Sequence, residues 1–158
     1  MRAVVVGCGR VGATMARALE TGGHDVTIVD LVTKAFDRLP AAFRGSAVRG
    51  DGTDEDTLRR AGAEGADLFL ALTEGDNRNI MAAQLARDAL GIGRVYAKVN
   101  DPVRAKAYGE LGIGTVCRTT MMTDALLDAL GEPVGTEPSI HEAKGARAHA
   151  GAFAGQEA

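Results

Sequence analysis

A β-branched run that breaks into glycines constrains this chain more than any other feature. Arg2-Ala3-Val4-Val5-Val6 is followed at once by Gly7-Cys8-Gly9-Arg10-Val11-Gly12, a match to G-x-G-x-x-G that leads into the helix-forming Ala13-Thr14-Met15-Ala16-Arg17-Ala18-Leu19. A short apolar run with no polar break suits a strand buried on both faces of a parallel sheet. In such a strand–turn–helix, Gly7 allows the sharp reversal, Gly9 lets a pyrophosphate reach the backbone, and Gly12 lets the helix lie close to the strand. The first-turn amides and the helix dipole then face the phosphate.

A second apolar run, Asp25-Val26-Thr27-Ile28-Val29, ends in Asp30. This is roughly 20 residues past the glycines, where a carboxylate accepts ribose hydroxyls. The same carboxylate repels a 2′-phosphate. At about 4 Å and an effective dielectric near 20, one pair of like charges costs roughly 4 kcal/mol before screening. NAD(H) or an adenine nucleotide (ATP/ADP) is therefore favoured and NADP(H) disfavoured. The competing reading is a structural glycine turn and an incidental acid at a strand end.

The remaining pattern alternates strand and helix. Helix is expected over 13–21, stopping at Gly22-Gly23, then strand over 24–29, a short helix over 34–39 ending at Pro40, and an edge strand over 46–49. Thr53 and Asp56 fit a capping box for a helix through Ala61. Strands over 66–72, 94–99 and 114–117 alternate with helices over 79–90, from Pro102 to near Gly112, and over 120–130. Pro102 suits a first helical position. The result is an α/β fold, a doubly wound parallel six-stranded sheet of Rossmann type with order 3-2-1-4-5-6. The domain is expected over 1–131, with a flexible tail over 132–158 that is rich in Ala, Gly, Glu and Pro. Ligands bind such sheets outside the carboxyl ends of the strands. That edge carries the loops 7–12, Asp30, 51–53, 73–77 and 98–101.

Composition narrows the classes. Aromatics are 4% and Trp is absent, so the core is aliphatic. A net charge of −3 with pI near 5.6 argues against a nucleic-acid partner held by bulk charge. Cys8 and Cys117 form no C-x-x-C or metal spacing and read as reduced thiols of a cytosolic protein. The apolar N-terminus ends at Val6, too short for a signal core or a membrane span, so no direct membrane insertion is expected.

With these loops in hand, the chain resembles the nucleotide-binding N-terminal domain of regulators of potassium conductance, the TrkA-N (KTN or RCK N-terminal) family. The resemblance rests on Val6-Gly7-Cys8-Gly9-Arg10-Val11-Gly12, Val29-Asp30, Gly50-Asp51-Gly52-Thr53-Asp54, Leu72-Thr73 with Asp76-Asn77-Arg78-Asn79, and Ala97-Lys98-Val99-Asn100-Asp101-Pro102. It implies a non-catalytic domain that binds NAD(H), ATP or ADP, dimerises, and assembles into rings under ion channels or transporters. By that resemblance Gly7, Gly9, Arg10, Val11 and Gly12 hold the diphosphate in a loop that includes Cys8, and Asp30 holds the ribose. Asp51, Gly52 and Thr53 lie by the adenine, Ala71, Leu72 and Thr73 cover the nucleoside, Asn77 contributes a contact, and Lys98 reaches phosphate. The implied protein is a cytoplasmic regulatory subunit of a potassium transporter or channel, peripheral to the membrane through that partner. It would work as a homodimer or higher ring that a second, longer regulatory subunit could share. The segment after Gly131 is too short and polar for the C-terminal ligand domain of many members. Where some members place a metal-holding Glu, this chain has Cys117-Arg118-Thr119-Thr120, so no metal is expected.

Plainer readings compete at several positions. Arg10 and Lys98 are also readable as surface cations, Asp51 as a turn residue, and Asp76 and Asn77 as helix caps. Cys8 reads as a small buried thiol, Met121 and Met122 as packing residues, and His24, His141 and His149 as isolated. A small NAD-dependent oxidoreductase is one alternative function. It lacks Tyr-x-x-x-Lys, since Asn100 follows Tyr96 and Gly112 follows Tyr108 at that spacing. A purely structural assembly subunit with constitutively bound nucleotide is the other.

Overall fold

The computed structural model describes residues 1–143; His149 and the expected tail from 144 to 158 lie outside the described residues. Strand β1 (Arg2–Val6) runs down the middle of the sheet because its side chains are buried on both faces from Ala3 onward. Val4 and Val6 join one core cluster, and Ala3 and Val5 join the other, as a period of two requires. Parallel strands β2 (Asp25–Asp30) and β3 (Ser46–Arg49) lie on one side of it, and β4 (Leu68–Ala71), β5 (Val95–Lys98) and β6 (Gly114–Val116) on the other. With a last strand β7 (Ile140–His141), the order is β3-β2-β1-β4-β5-β6-β7, so the direction of winding reverses between β1 and β4.

Helix α1 (Arg10–Thr21) packs Ala13 and Ala16 on the face shared by Ala3 and Val5. The opposite face takes α2 (Glu55–Arg60) through Leu58, α3 (Asp76–Gln84) through Ile80, Ala82 and Ala83, and α4 (Pro102–Glu110) through Ala105. The alanines let these helices sit close to a sheet that has few aromatic residues to cover. Helix α5 (Arg118–Leu130) buries none of its side chains and ends at Gly131, whose φ of 73° suits a left-handed stop.

The expected order stands, with local differences. Among the described residues the sheet has seven strands, because β7 pairs antiparallel with β6. This strand falls within the stretch expected as flexible tail. Cys117 N donates to Ser139 O, Lys106 pairs with Glu137 at 3.0 Å, and Tyr96 Oη donates to Glu142 at 2.6 Å, which together secure it. Residues Thr33–Arg38 form a 3-10 turn, and α3 begins at Asp76 and loosens into a π turn over Leu85–Ala89. Asp54, not Thr53, caps α2, because Thr53 is held by Asp51 while Asp54 accepts from Thr57 N. Gly75 takes the cap position of α3, which frees Asp76 and Asn77 for other partners. Met121 and Met122 are exposed, since α5 lies off the core.

Candidate functional site

A cavity of about 660 Å3 opens along the carboxyl edge where the winding reverses. This is within the range of sites that take small ligands. Its floor is the β1–α1 turn. Gly7 turns with φ of 100°, and its N–H donates to Val29 O at 2.7 Å. A Cβ on Gly7 would stand 2.9 Å from the Leu72 backbone, so two neighbouring strands close on the turn. A Cβ on Gly12 would fall 1.8 Å from Gly7 O, the close helix–strand approach that the third glycine permits. A Cβ on Gly9 would meet nothing within 4 Å, so the backbone there faces open space. Gly9 is also the N-cap of α1 and has no side-chain cap, and the first turn holds no acid. The amides and the positive end of the dipole are thus left to an incoming anion.

Asp30 stands at the next loop. One of its carboxylate oxygens accepts from Cys8 N at 2.7 Å and the other from Val32 N at 2.8 Å. A carboxylate has about four acceptor sites, so capacity remains for hydroxyls. Asp51 Oδ1 accepts from both Thr53 N (2.9 Å) and Thr53 Oγ1 (2.8 Å). These bonds, first the backbone and then the hydroxyl, hold the Asp51 carboxyl below the usual carboxylate range. Burial, reinforced by the Asp30 charge, pushes the Cys8 thiol up, away from the reactive thiolate form.

Among the expected site residues, the structure brings Gly7, Cys8, Gly9, Asp30, Asp51, Gly52, Leu72 and Thr73 to the cavity wall. Seven others lie off it. Gly12 is packed between strand and helix, and Arg10 and Val11 are exposed on the first turn of α1. Thr53 turns its hydroxyl to Asp51. Ala71 points the other way, into the core, as strand alternation dictates. Asn77 accepts from Arg104 Nη2 at 2.7 Å. Lys98 is 6% exposed, and its carbonyl accepts from Asn79 Nδ2 at 2.8 Å.

Lys34, Asp37 and Arg38 on the 3-10 turn, together with Arg78, also line the cavity and are not among the expected site residues; Glu74, in the expected 73–77 loop, joins them. The signal for the first set was the charged Lys34/Asp37/Arg38 spacing directly after Asp30. Asn79, fully buried in an otherwise apolar helix face, was the other visible cue. Among the described residues, no group of three or more His, Cys, Asp or Glu is positioned to hold a metal ion. Among them, too, no helix is long and apolar enough to cross a membrane.

A doubly wound sheet with an uncapped glycine-rich helix start and an acid at the end of β2 defines a domain of the Rossmann class. Its family follows from comparison with known proteins. The TrkA-N domain profile matches residues 3–119, and the chain belongs to that family. The Trk system potassium uptake protein TrkA of Streptomyces coelicolor is 46% identical over 138 residues, covering 87% of this chain and 61% of that protein. This chain thus spans less than two thirds of that relative. Among solved structures, the TrkA-N domain of the inner membrane protein ybaL from Escherichia coli superposes with a TM-score of 0.72 at 19% identity, covering 82% of this chain and 96% of that one. The Kef C-terminal domain of Shewanella denitrificans, solved with AMP bound, gives 0.64 at 22% identity, covering 85% and 84%. These two likenesses bear on fold.

Proposed function

We propose that this domain binds an adenine nucleotide, NAD(H) or ATP/ADP, along the carboxyl edge of its sheet and acts as a regulatory subunit of a potassium transporter. The observation that carries the reading is the uncapped start of α1 at Gly9, opening onto a cavity that also holds Asp30. A diphosphate would lie over Gly7, Cys8 and Gly9 against the first-turn amides, with Arg10 at its outer side. The ribose would meet Asp30, and the adenine would sit between Asp51-Gly52 and Leu72-Thr73. Ala71, Asn77 and Lys98 lie off the cavity wall, and their part in binding is indirect in this reading. The Kef structure with AMP supports a nucleotide in this fold, and the name of the Streptomyces relative supports potassium uptake as the setting.

The proposed role is non-catalytic and cytoplasmic, with the chain reaching the membrane through its transporter. The nucleotide would act by binding two assembly states of a homodimer or ring with different affinity, since a ligand shifts an equilibrium only by that difference. Parallel thermal-shift titrations with NAD+, NADH, NADPH, ATP and ADP test the site, with NADH absorbance followed for turnover. Stabilisation by NADH or ADP exceeding that by NADPH is expected. No stabilisation by any of the five, or steady NADH consumption, refutes the proposal.

A further inference from the structure

On the first turn of α3, Asn79 and Asp76 bond across to the strand ends and the loop that follow them in space, beside the Asn77–Arg104 bond described above. Asn79 is fully buried, and its amide uses all four of its hydrogen-bonding positions on the ends of two strands. Its Oδ1 accepts from Thr73 N (2.8 Å) and Thr73 Oγ1 (2.7 Å). Its Nδ2 donates to Thr73 O (3.1 Å) and Lys98 O (2.8 Å). Asp76 lies three residues earlier, on the same side of the helix. Its carboxylate accepts from Asn100 N at 2.9 Å, Asn100 Nδ2 at 2.8 Å and Asp101 N at 3.2 Å. Asn100 O in turn accepts from Cys117 Sγ at 3.5 Å, and Thr120 Oγ1 donates to the same sulfur at 3.3 Å. Cys117 is the N-cap residue of α5.

These bonds form one continuous path from the cavity wall, at Thr73, through α3 to the start of α5, which buries no side chain. A shift of Thr73 either carries Asn79 with it or breaks bonds to a saturated, water-free amide, where an unpaired polar group is costly. Asp76 moves with Asn79 because both ride on the same helical turn. Among the described residues Asn100 Oδ1 is buried without a partner, so the residue whose backbone carbonyl accepts from Cys117 also carries an acceptor able to take up a donor.

We propose that Asn79 and Asp76 are positioning residues that couple a nucleotide lying against Thr73 to the start of α5. This rests on the nucleotide reading above.

The test is hydrogen exchange with mass spectrometry on the full chain, with and without ADP. In the wild type, ADP is expected to protect residues 7–12 and to change exchange in the first turn of α5 by about fivefold or more, the low end of allosteric coupling. In Asp76→Asn, which sets an amide N–H2 against the N–H groups of the 100–101 loop, protection of 7–12 remains and the α5 ratio falls toward one. Cys117→Ala cuts the path at its last link and gives the same result if Asp76→Asn does not fold. A merely structural role for Asp76 would raise α5 exchange equally with and without ADP, leaving the ratio unchanged. That result, or protection of 7–12 in wild type with no change at α5, overturns the proposal. If ADP fails to protect 7–12 the exchange is repeated with NADH and ATP, and if none of the three protects 7–12 it is the nucleotide reading that fails. The path is then read without ligand from Thr73→Val, Asp76→Asn and the double variant: non-multiplicative effects on α5 exchange support it, and multiplicative ones overturn it.

Discussion

Replacing Asp30 separates the internal duty of that carboxylate from its proposed duty toward a ligand. In the free protein it accepts one backbone N–H on each oxygen, from Cys8 and from Val32. The two N–H groups differ in their access to water. Cys8 is fully buried, while Val32 is 58% exposed, so only the Cys8 donor is stranded when the carboxylate goes. Asp30→Ala should therefore cost about 1–3 kcal/mol, the penalty for one unsatisfied buried donor, with little added by Val32. Asp30→Asn keeps a carbonyl for Cys8 N and turns its N–H2 toward the exposed Val32, so its cost should stay below about 1 kcal/mol. Urea unfolding of the nucleotide-free protein, followed by far-UV circular dichroism, reads both. Equal stability of the alanine and asparagine variants would show that the Cys8 bond contributes nothing and would refute the reasoning. The same pair of proteins then tests the ligand side. Loss of the charge should weaken NADH binding and bring NADPH binding toward it, because the roughly 4 kcal/mol repulsion of a 2′-phosphate is gone. An unchanged NADH preference in Asp30→Ala would remove this residue from nucleotide recognition.

Four further outcomes follow from local geometry. Gly9→Ala should leave stability within about 0.5 kcal/mol, since its φ of −76° suits alanine and its Cβ meets open space, yet it should weaken ADP binding by crowding the phosphate; calorimetric titration reads both. Gly52→Ala should instead destabilise by about 1–3 kcal/mol in urea unfolding, because its Cβ would lie 2.2 Å from Cγ1 of the buried Val6. Asp51 is held low by Thr53, so its contribution is fully present above the unfolded carboxyl value of about 3.9 and is lost as pH falls through the lower folded value. Asp51→Asn should thus be less stable than wild type at neutral pH, with the gap closing below about pH 4. Gly109→Ala places a Cβ 2.7 Å from that of His141, so it should release β7 and speed exchange at 139–142 while the gain in helix propensity, up to about 1 kcal/mol, holds global stability nearly constant.

Much of this architecture was legible in the sequence because it depends on local pattern. The valines of β1, the glycine spacing after it, Asp30 at the end of β2 and Pro102 at a helix start each constrain only a few neighbouring residues. Their conformational demands are met within the segment itself. The parallel order followed too, since alternating strands and helices wind about a sheet in few ways. Side-chain destinations across the fold were another matter. Asn77 and Asp76 read as helix caps, but Gly75 takes the cap and their partners lie at Arg104 and at the 100–101 loop, brought near only when β4 and β5 pair. Lys34, Arg38 and Arg78 reach the cavity because the 3-10 turn and α3 fold over the same edge. Strand β7, from a polar stretch with weak strand character, forms because β6 offers it an unpaired edge and Tyr96, Lys106 and Cys117 hold its flanks. Local periodicity and glycine placement thus determined the elements and their winding. Only the packed sheet decided which polar groups, distant in sequence, would satisfy one another, because a hydrogen bond depends on separation in space that a linear pattern does not contain.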